Sequence, residues 1–80
     1  MLKEEILNKL KQIFREIFDS QDLSITRATD ASQIEGWDSF MHINLIVAIE
    51  ENFEVSFTTK EIGQFACVGD VIDLLATKTS

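Results

Sequence analysis

The chain has 80 residues, 45% of them apolar, and a net charge of −7 from 14 Asp/Glu against 7 Lys/Arg. That length gives one domain, residues 1–80, with a modest core, and the apolar share excludes a disordered chain. The charge excludes non-specific nucleic-acid binding, because nucleic-acid phosphates repel an acidic surface, and it points to partners with basic patches.

The start, Met1-Leu2-Lys3-Glu4-Glu5, has no apolar segment of the signal-peptide kind. From Leu2 to Phe18, Leu2, Ile6, Leu10, Ile13, Phe14 and Ile17 recur at helical spacing, with Lys3, Lys9, Lys11, Arg15 and Glu16 largely on the other face. This predicts an amphipathic helix with one buried stripe. Its charges are mixed rather than basic, so it does not read as a membrane-surface helix. Asp19 to Asp38 follows as a long polar connection in which Leu23, Ile25 and Ile34 are expected to tuck into the core. Tested as a calcium loop from Asp19, it puts Gln21, Leu23 and Asp30 at ligand positions and Ser24 at the obligatory glycine, so an EF-hand is rejected.

A second helix is predicted from Ser39 to Phe53. Phe40, Ile43, Ile46, Val47, Ile49 and Phe53 spread over so much of its circumference that it is expected to be the central helix. The longest unbroken apolar run, Leu45 to Ile49, is far short of a membrane span. Glu50, Glu51 and Glu54 crowd the C-terminal end, where acids oppose the helix dipole; solubility and docking are both open readings. After the extended Val55-Ser56-Phe57, Thr58 and Glu61 form a capping box for a short third helix ending near Gly63 or Phe65. A last helix is predicted from Val68 to Thr77, with a frayed Thr79-Ser80 tail. Cys67 has no internal disulfide partner and suits a reducing, cytoplasmic setting. The charge is unevenly split: residues 1–18 carry four Lys/Arg and three Glu, whereas residues 19–80 carry three Lys/Arg and eleven Asp/Glu.

The chemistry concentrates at Gly36-Trp37-Asp38-Ser39-Phe40, where a polar segment meets the most apolar helix. A hydroxyl there lies beside unpaired N–H groups and the positive end of the dipole, a favourable place for a phosphate. The plain alternative is that Asp38 and Ser39 only cap the helix. Asp38, Ser39 and His42 mimic a nucleophile–base–acid set, but a triad needs an orienting acid beyond the imidazole and an oxyanion hole, usually from separate elements. One His and one Cys provide no metal-ligand spacing, and no phosphate-cradling glycine loop is present. An exposed serine at a helix start, on an acidic domain without catalytic apparatus, suits a substrate of other enzymes better than an enzyme. A helical interaction domain without a prosthetic group is the remaining class.

Gly36-Trp37-Asp38-Ser39-Phe40, the run Ile43-Asn44-Leu45-Ile46-Val47-Ala48-Ile49-Glu50-Glu51-Asn52-Phe53, and the later Phe57–Ile62 and Val68–Ile72 stretches resemble the acyl carrier proteins. The resemblance implies an all-α, four-helix bundle with a long first loop and a short third helix. It implies 4′-phosphopantetheine, donated by coenzyme A through a magnesium-dependent phosphopantetheinyl transferase, on Ser39, with Asp38 assisting recognition. The carrier would be monomeric and cytoplasmic, with no membrane span and no nucleic-acid partner. It would shuttle acyl thioesters between acyl-activating, condensing or acyl-transfer enzymes of fatty-acid, lipid or polyketide-type biosynthesis. An aminoacyl or peptidyl carrier is the rival reading, and the acidity favours acyl cargo. Phe40, Met41, Glu50, Glu51 and Glu54 are the expected docking residues. Phe40, Ile43, Val47 and Ile62 are expected to line an apolar slot that shelters the acyl chain, at about 0.8 kcal/mol per buried CH₂. Phe40 conservatively replaces the usual Leu; Met41 and Asn44 stand where acids are frequent, which implies a dedicated partner; and Trp37 before Asp38, with the His42–Ile49 run, resembles stand-alone carriers of specialised pathways. Cys67 stands where the last helix usually has a hydroxyl cap, so that helix is expected to be looser, by roughly 1 kcal/mol.

Overall fold

The computed structural model describes residues 2–20 and 23–79. Met1, Gln21 of the calcium-loop test and Ser80 of the tail lie outside them. Four α-helices follow one another, α1 (Lys3–Ile17), α2 (Ser39–Phe53), α3 (Thr59–Gly63) and α4 (Val68–Lys78), with a 3₁₀ turn at Ala31–Gln33 in the first connection. The described residues contain no strand.

The core takes Ile6, Leu10, Ile13 and Phe14 from α1, Leu45, Ile49 and Phe53 from α2, and Val68, Ile72 and Leu75 from α4. Ile25 and Ile34 of the long connection are buried among them and Leu23 packs against their edge, as their spacing in a polar segment predicts. Leu2 does not join the stripe. It is the N-cap of α1 and 68% exposed, because only helical residues hold the stripe's phase.

The central helix is α1 rather than α2. It packs on both α2 and α4. One side of α2 faces an open cleft, and Phe40, Ile43 and Val47 are exposed. Breadth of apolar surface therefore did not identify the middle of the bundle.

Helix ends account for much of the loop geometry. At the end of α1 the N–H of Ser20 donates to Arg15 O (3.0 Å) and that of Asp19 to Glu16 O (3.4 Å), with Asp19 left-handed at φ 49°. This closes the helix as a glycine usually does. Glu54 is left-handed in the same way at the end of α2, and Val55 N–H donates to Glu50 O. The Glu50 carboxylate accepts from Phe57 N–H at 2.8 Å, so this acid has a structural duty that offsets its unfavourable place on the dipole. The capping box of α3 forms as predicted: Glu61 N–H donates to Thr58 Oγ1 and Thr58 N–H to Glu61 Oε1.

The expected looseness of α4 does not hold. Cys67 makes no side-chain cap, but the long connection supplies one from its backbone. Val68 N–H donates to Thr29 O and Gly69 N–H to Arg27 O, both at 2.8 Å. The Asp70 carboxylate accepts from Ala66 N–H at 3.0 Å. Gly69 permits the approach, since a Cβ there would lie 3.0 Å from Arg27 O. The helix runs one residue further than predicted, to Lys78. Thr79, expected to fray, is tied by its N–H and its hydroxyl to Leu75 O.

Candidate functional site

The site begins with a turn. Gly36 sits at φ +88°, a conformation that suits glycine, and turns the chain so that Trp37 is inside and Asp38 starts α2. Asp38 is extended, and its Oδ1 accepts from Met41 N–H at 2.9 Å. Asp38 O accepts the first helical bond, from His42 N–H. Ser39 is the first residue of a 15-residue helix and is exposed. Its N–H and that of Phe40 are first-turn donors that Asp38 does not take, and they point outward at the positive end of the helix.

Trp37 is pinned from behind by α1. Its ring meets Phe14 edge-on at 5.3 Å and Phe18 at 6.0 Å. Ahead, its indole Nε1–H donates to His42 Nδ1 at 3.2 Å, and the two rings stack at 6.0 Å. In the sequence Trp37 and His42 carry separate signals, and their pairing is not evident there. The available signal was that His42, one turn into α2, lies over the residues that precede the helix.

Beside Ser39 a cleft of about 550 Å³ opens between α2 and the α3–α4 segment. Ser39, His42, Ile43, Ile46 and Ile49 form one wall, Ile62, Phe65, Cys67 and Val71 the other, and Leu10 and Phe14 are at its base. Of the residues expected to line an apolar slot, Ile43 and Ile62 line this cleft. Phe40 and Val47 are not: they are 72% and 46% exposed and do not line the cleft. The reason is helical phase: at 3.6 residues per turn Phe40 and Val47 share one flank of α2, turned away from the side that Ser39, Ile46 and Ile49 present to the cleft. Met41 is half-buried, and Glu51 and Glu54 are exposed.

A triad is not assembled. The Asp38 carboxylate is engaged by the backbone of Met41, and His42 Nδ1 takes the indole rather than an acid. What the residues fit is a phosphodiester-linked arm. An exposed hydroxyl stands at a helix N-terminus with free backbone donors, at the mouth of a mainly apolar cleft.

A family model described as "Phosphopantetheine attachment site" matches residues 8–75. The chain is 30% identical over 77 residues to the acyl carrier protein of Acidothermus cellulolyticus, covering 96% of this chain and 92% of that one. It is 27% identical over 75 residues to the acyl carrier protein of Coprothermobacter proteolyticus, covering 94% and 92%. Its fold is similar to the solution structure of the holo acyl carrier protein from Geobacter metallireducens, with a TM-score of 0.85 and 40% identity over 90% of this chain and 83% of that one. The chain belongs to the phosphopantetheine-attachment family as an acyl carrier protein, a thioester carrier whose prosthetic group is 4′-phosphopantetheine.

Proposed function

We propose that Ser39 is the attachment residue and that the chain carries acyl groups for a specialised pathway with its own partner enzymes. The observation that supports this most directly is the exposed Ser39 hydroxyl at the start of α2, on the rim of the apolar cleft. When bound, the arm supplies a terminal thiol that holds the acyl group as a thioester. The chain's own residues do the rest. The first turn of α2 presents Ser39 and stabilises negative charge beside it. Ile43, Ile46 and Ile62 offer an apolar surface that keeps water from an acyl chain.

Phe40 and Met41 beside Ser39, with Glu50, Glu51 and Glu54 at the far end of α2, are proposed as the docking face for enzymes with basic patches. Phe40, Ile43 and Val47 form an exposed apolar stripe along that helix, which supports contact through apolar anchors with an acidic rim. Asp38 is proposed to assist the phosphopantetheinyl transferase. We assign no catalysis to the chain, and place a monomer in the cytoplasm on its lone Cys67 and acidic surface. No helix among the described residues is long and apolar enough to cross a membrane.

The test is an intact mass after incubation with coenzyme A, magnesium and a broad-specificity phosphopantetheinyl transferase. The expected result is the gain of one phosphopantetheine by the wild type and none by Ser39→Ala. A folded wild type that gains nothing from either this or a dedicated transferase overturns the assignment.

A further inference from the structure

The Trp37–His42 pair is absorbed by nothing described so far. An indole N–H only donates, so the 3.2 Å bond from Trp37 Nε1 obliges His42 Nδ1 to accept. With Nδ1 accepting, the N–H that the ring can donate is on Nε2. That tautomer is held from a distance. Trp37 is wedged against Phe14 of α1 and Phe18, the residue that caps it, and its ring stacks on the imidazole at 6.0 Å. His42 stands three residues after Ser39, so the two side chains share a helix face, and both line the cleft. A half-buried imidazole is therefore oriented beside the attachment serine with one N–H donor to spare.

We infer that His42 is a binding residue for the prosthetic group: its Nε2–H donates to the phosphodiester on Ser39, and Trp37 is the positioning residue that sets the tautomer. The inference rests on Ser39 being the attachment residue. The Nε2–H gives the phosphodiester a hydrogen bond from a side chain already held in place by Trp37. It also steers the first atoms of the arm along the cleft-facing side of α2, so that the arm leaves Ser39 towards the cleft rather than towards Phe40.

The experiment is NMR on the wild type and on His42→Asn, His42→Gln and Trp37→Phe, each without and with the phosphopantetheine arm. The chain has one His, so its imidazole signals are unambiguous. Long-range ¹H–¹⁵N spectra of the wild type should show the Nε2–H tautomer in both states. On loading, the Nε2 proton should move downfield and exchange more slowly. Trp37→Phe should release the tautomer to a mixture, which a merely space-filling role for the indole would not do. His42→Asn keeps an acceptor for Trp37 but has no donor at the Nε2 position, so its ³¹P resonance should move away from the wild-type value. His42→Gln, with an amide donor there, should return it part of the way. Imidazole signals unchanged by loading of the wild type overturn the inference whatever the variants do, as does a wild-type ³¹P shift in a folded, loaded His42→Asn. A wild type that never gains the arm overturns the attachment assignment instead, and the mass measurement distinguishes the two failures.

Discussion

Asp38 serves the fold with its oxygen and is proposed to serve the transferase with its charge, and one substitution separates the two. Asn caps helices as well as Asp does, so Asp38→Asn should keep the bond to Met41 N–H and hold stability within about 0.5 kcal/mol. Loss of a charged contact worth about 1.5–3 kcal/mol should slow loading of Ser39 by roughly 10- to 100-fold in kcat/KM. Thermal melts and a loading time course check both halves, and equal loss of stability and loading would make Asp38 a cap alone. Asp38 and Ser39 were legible in the sequence because capping and dipole effects act within one turn of chain. The Trp37–His42 bond was not legible, although only five residues separate the partners. It depends on Phe14 of α1 and its cap residue Phe18 holding the indole, and those aromatics lie across the long connection.

At the scale of elements, the most instructive case is the start of α4. Its poor cap, Cys67, was visible in the sequence, but the substitute cap came from carbonyls of Arg27 and Thr29, some forty residues earlier. A segment without periodicity gives no sign of where its carbonyls will point. The two glycines Gly69 and Gly63 test this arrangement. Gly69→Ala places a Cβ 3.0 Å from Arg27 O, the acceptor of Gly69's own N–H, so the loop must withdraw and a bond must lengthen. A loss of about 1–2 kcal/mol is expected despite the better helix propensity of Ala. Gly63→Ala meets no atom within 4 Å and should gain about 0.5 kcal/mol. Urea denaturation of both variants decides it, and a stabilised Gly69→Ala would show that the loop does not cap α4.

Two properties belong to the whole molecule. The first is the cleft. An acyl chain that enters it gains about 0.8 kcal/mol per buried CH₂, so a longer-acyl form should melt higher than the unacylated form. Identical melting of the two would show that the chain stays outside. The second is the Asp73 junction, where Arg27 of the long connection (2.9 Å) and Lys3 of α1 (3.0 Å) meet a carboxylate of α4. The Arg27 hydrogen bond first, and that of Lys3 next, hold the Asp73 carboxyl below its ordinary value of 3.8. A carboxyl lowered in the folded state adds stability above its unfolded value and loses it as the pH falls through the folded value. The melting difference between wild type and Asp73→Asn should therefore be present in full at pH 7, begin to fall only near the ordinary value of 3.8, and be lost as the pH drops through the lowered folded value. Because the group is exposed, the difference should be small and should shrink in high salt.

The sequence by itself determined the four helices, their stripes, the capping box at Thr58 and the position of Ser39 at the start of α2. Each of these follows from side-chain periodicity or from hydrogen bonds within one turn, interactions whose partners are close along the chain. Only the tertiary structure decided which helix is central, which apolar residues of α2 line the cleft and which are exposed, what caps α4, and what holds His42. Those outcomes depend on how whole helices are rotated and spaced against one another. Ile43 and Val47 have the same apolar character in the sequence, and it is the opening between α2 and α3 that assigns one to the cleft and leaves the other facing outward.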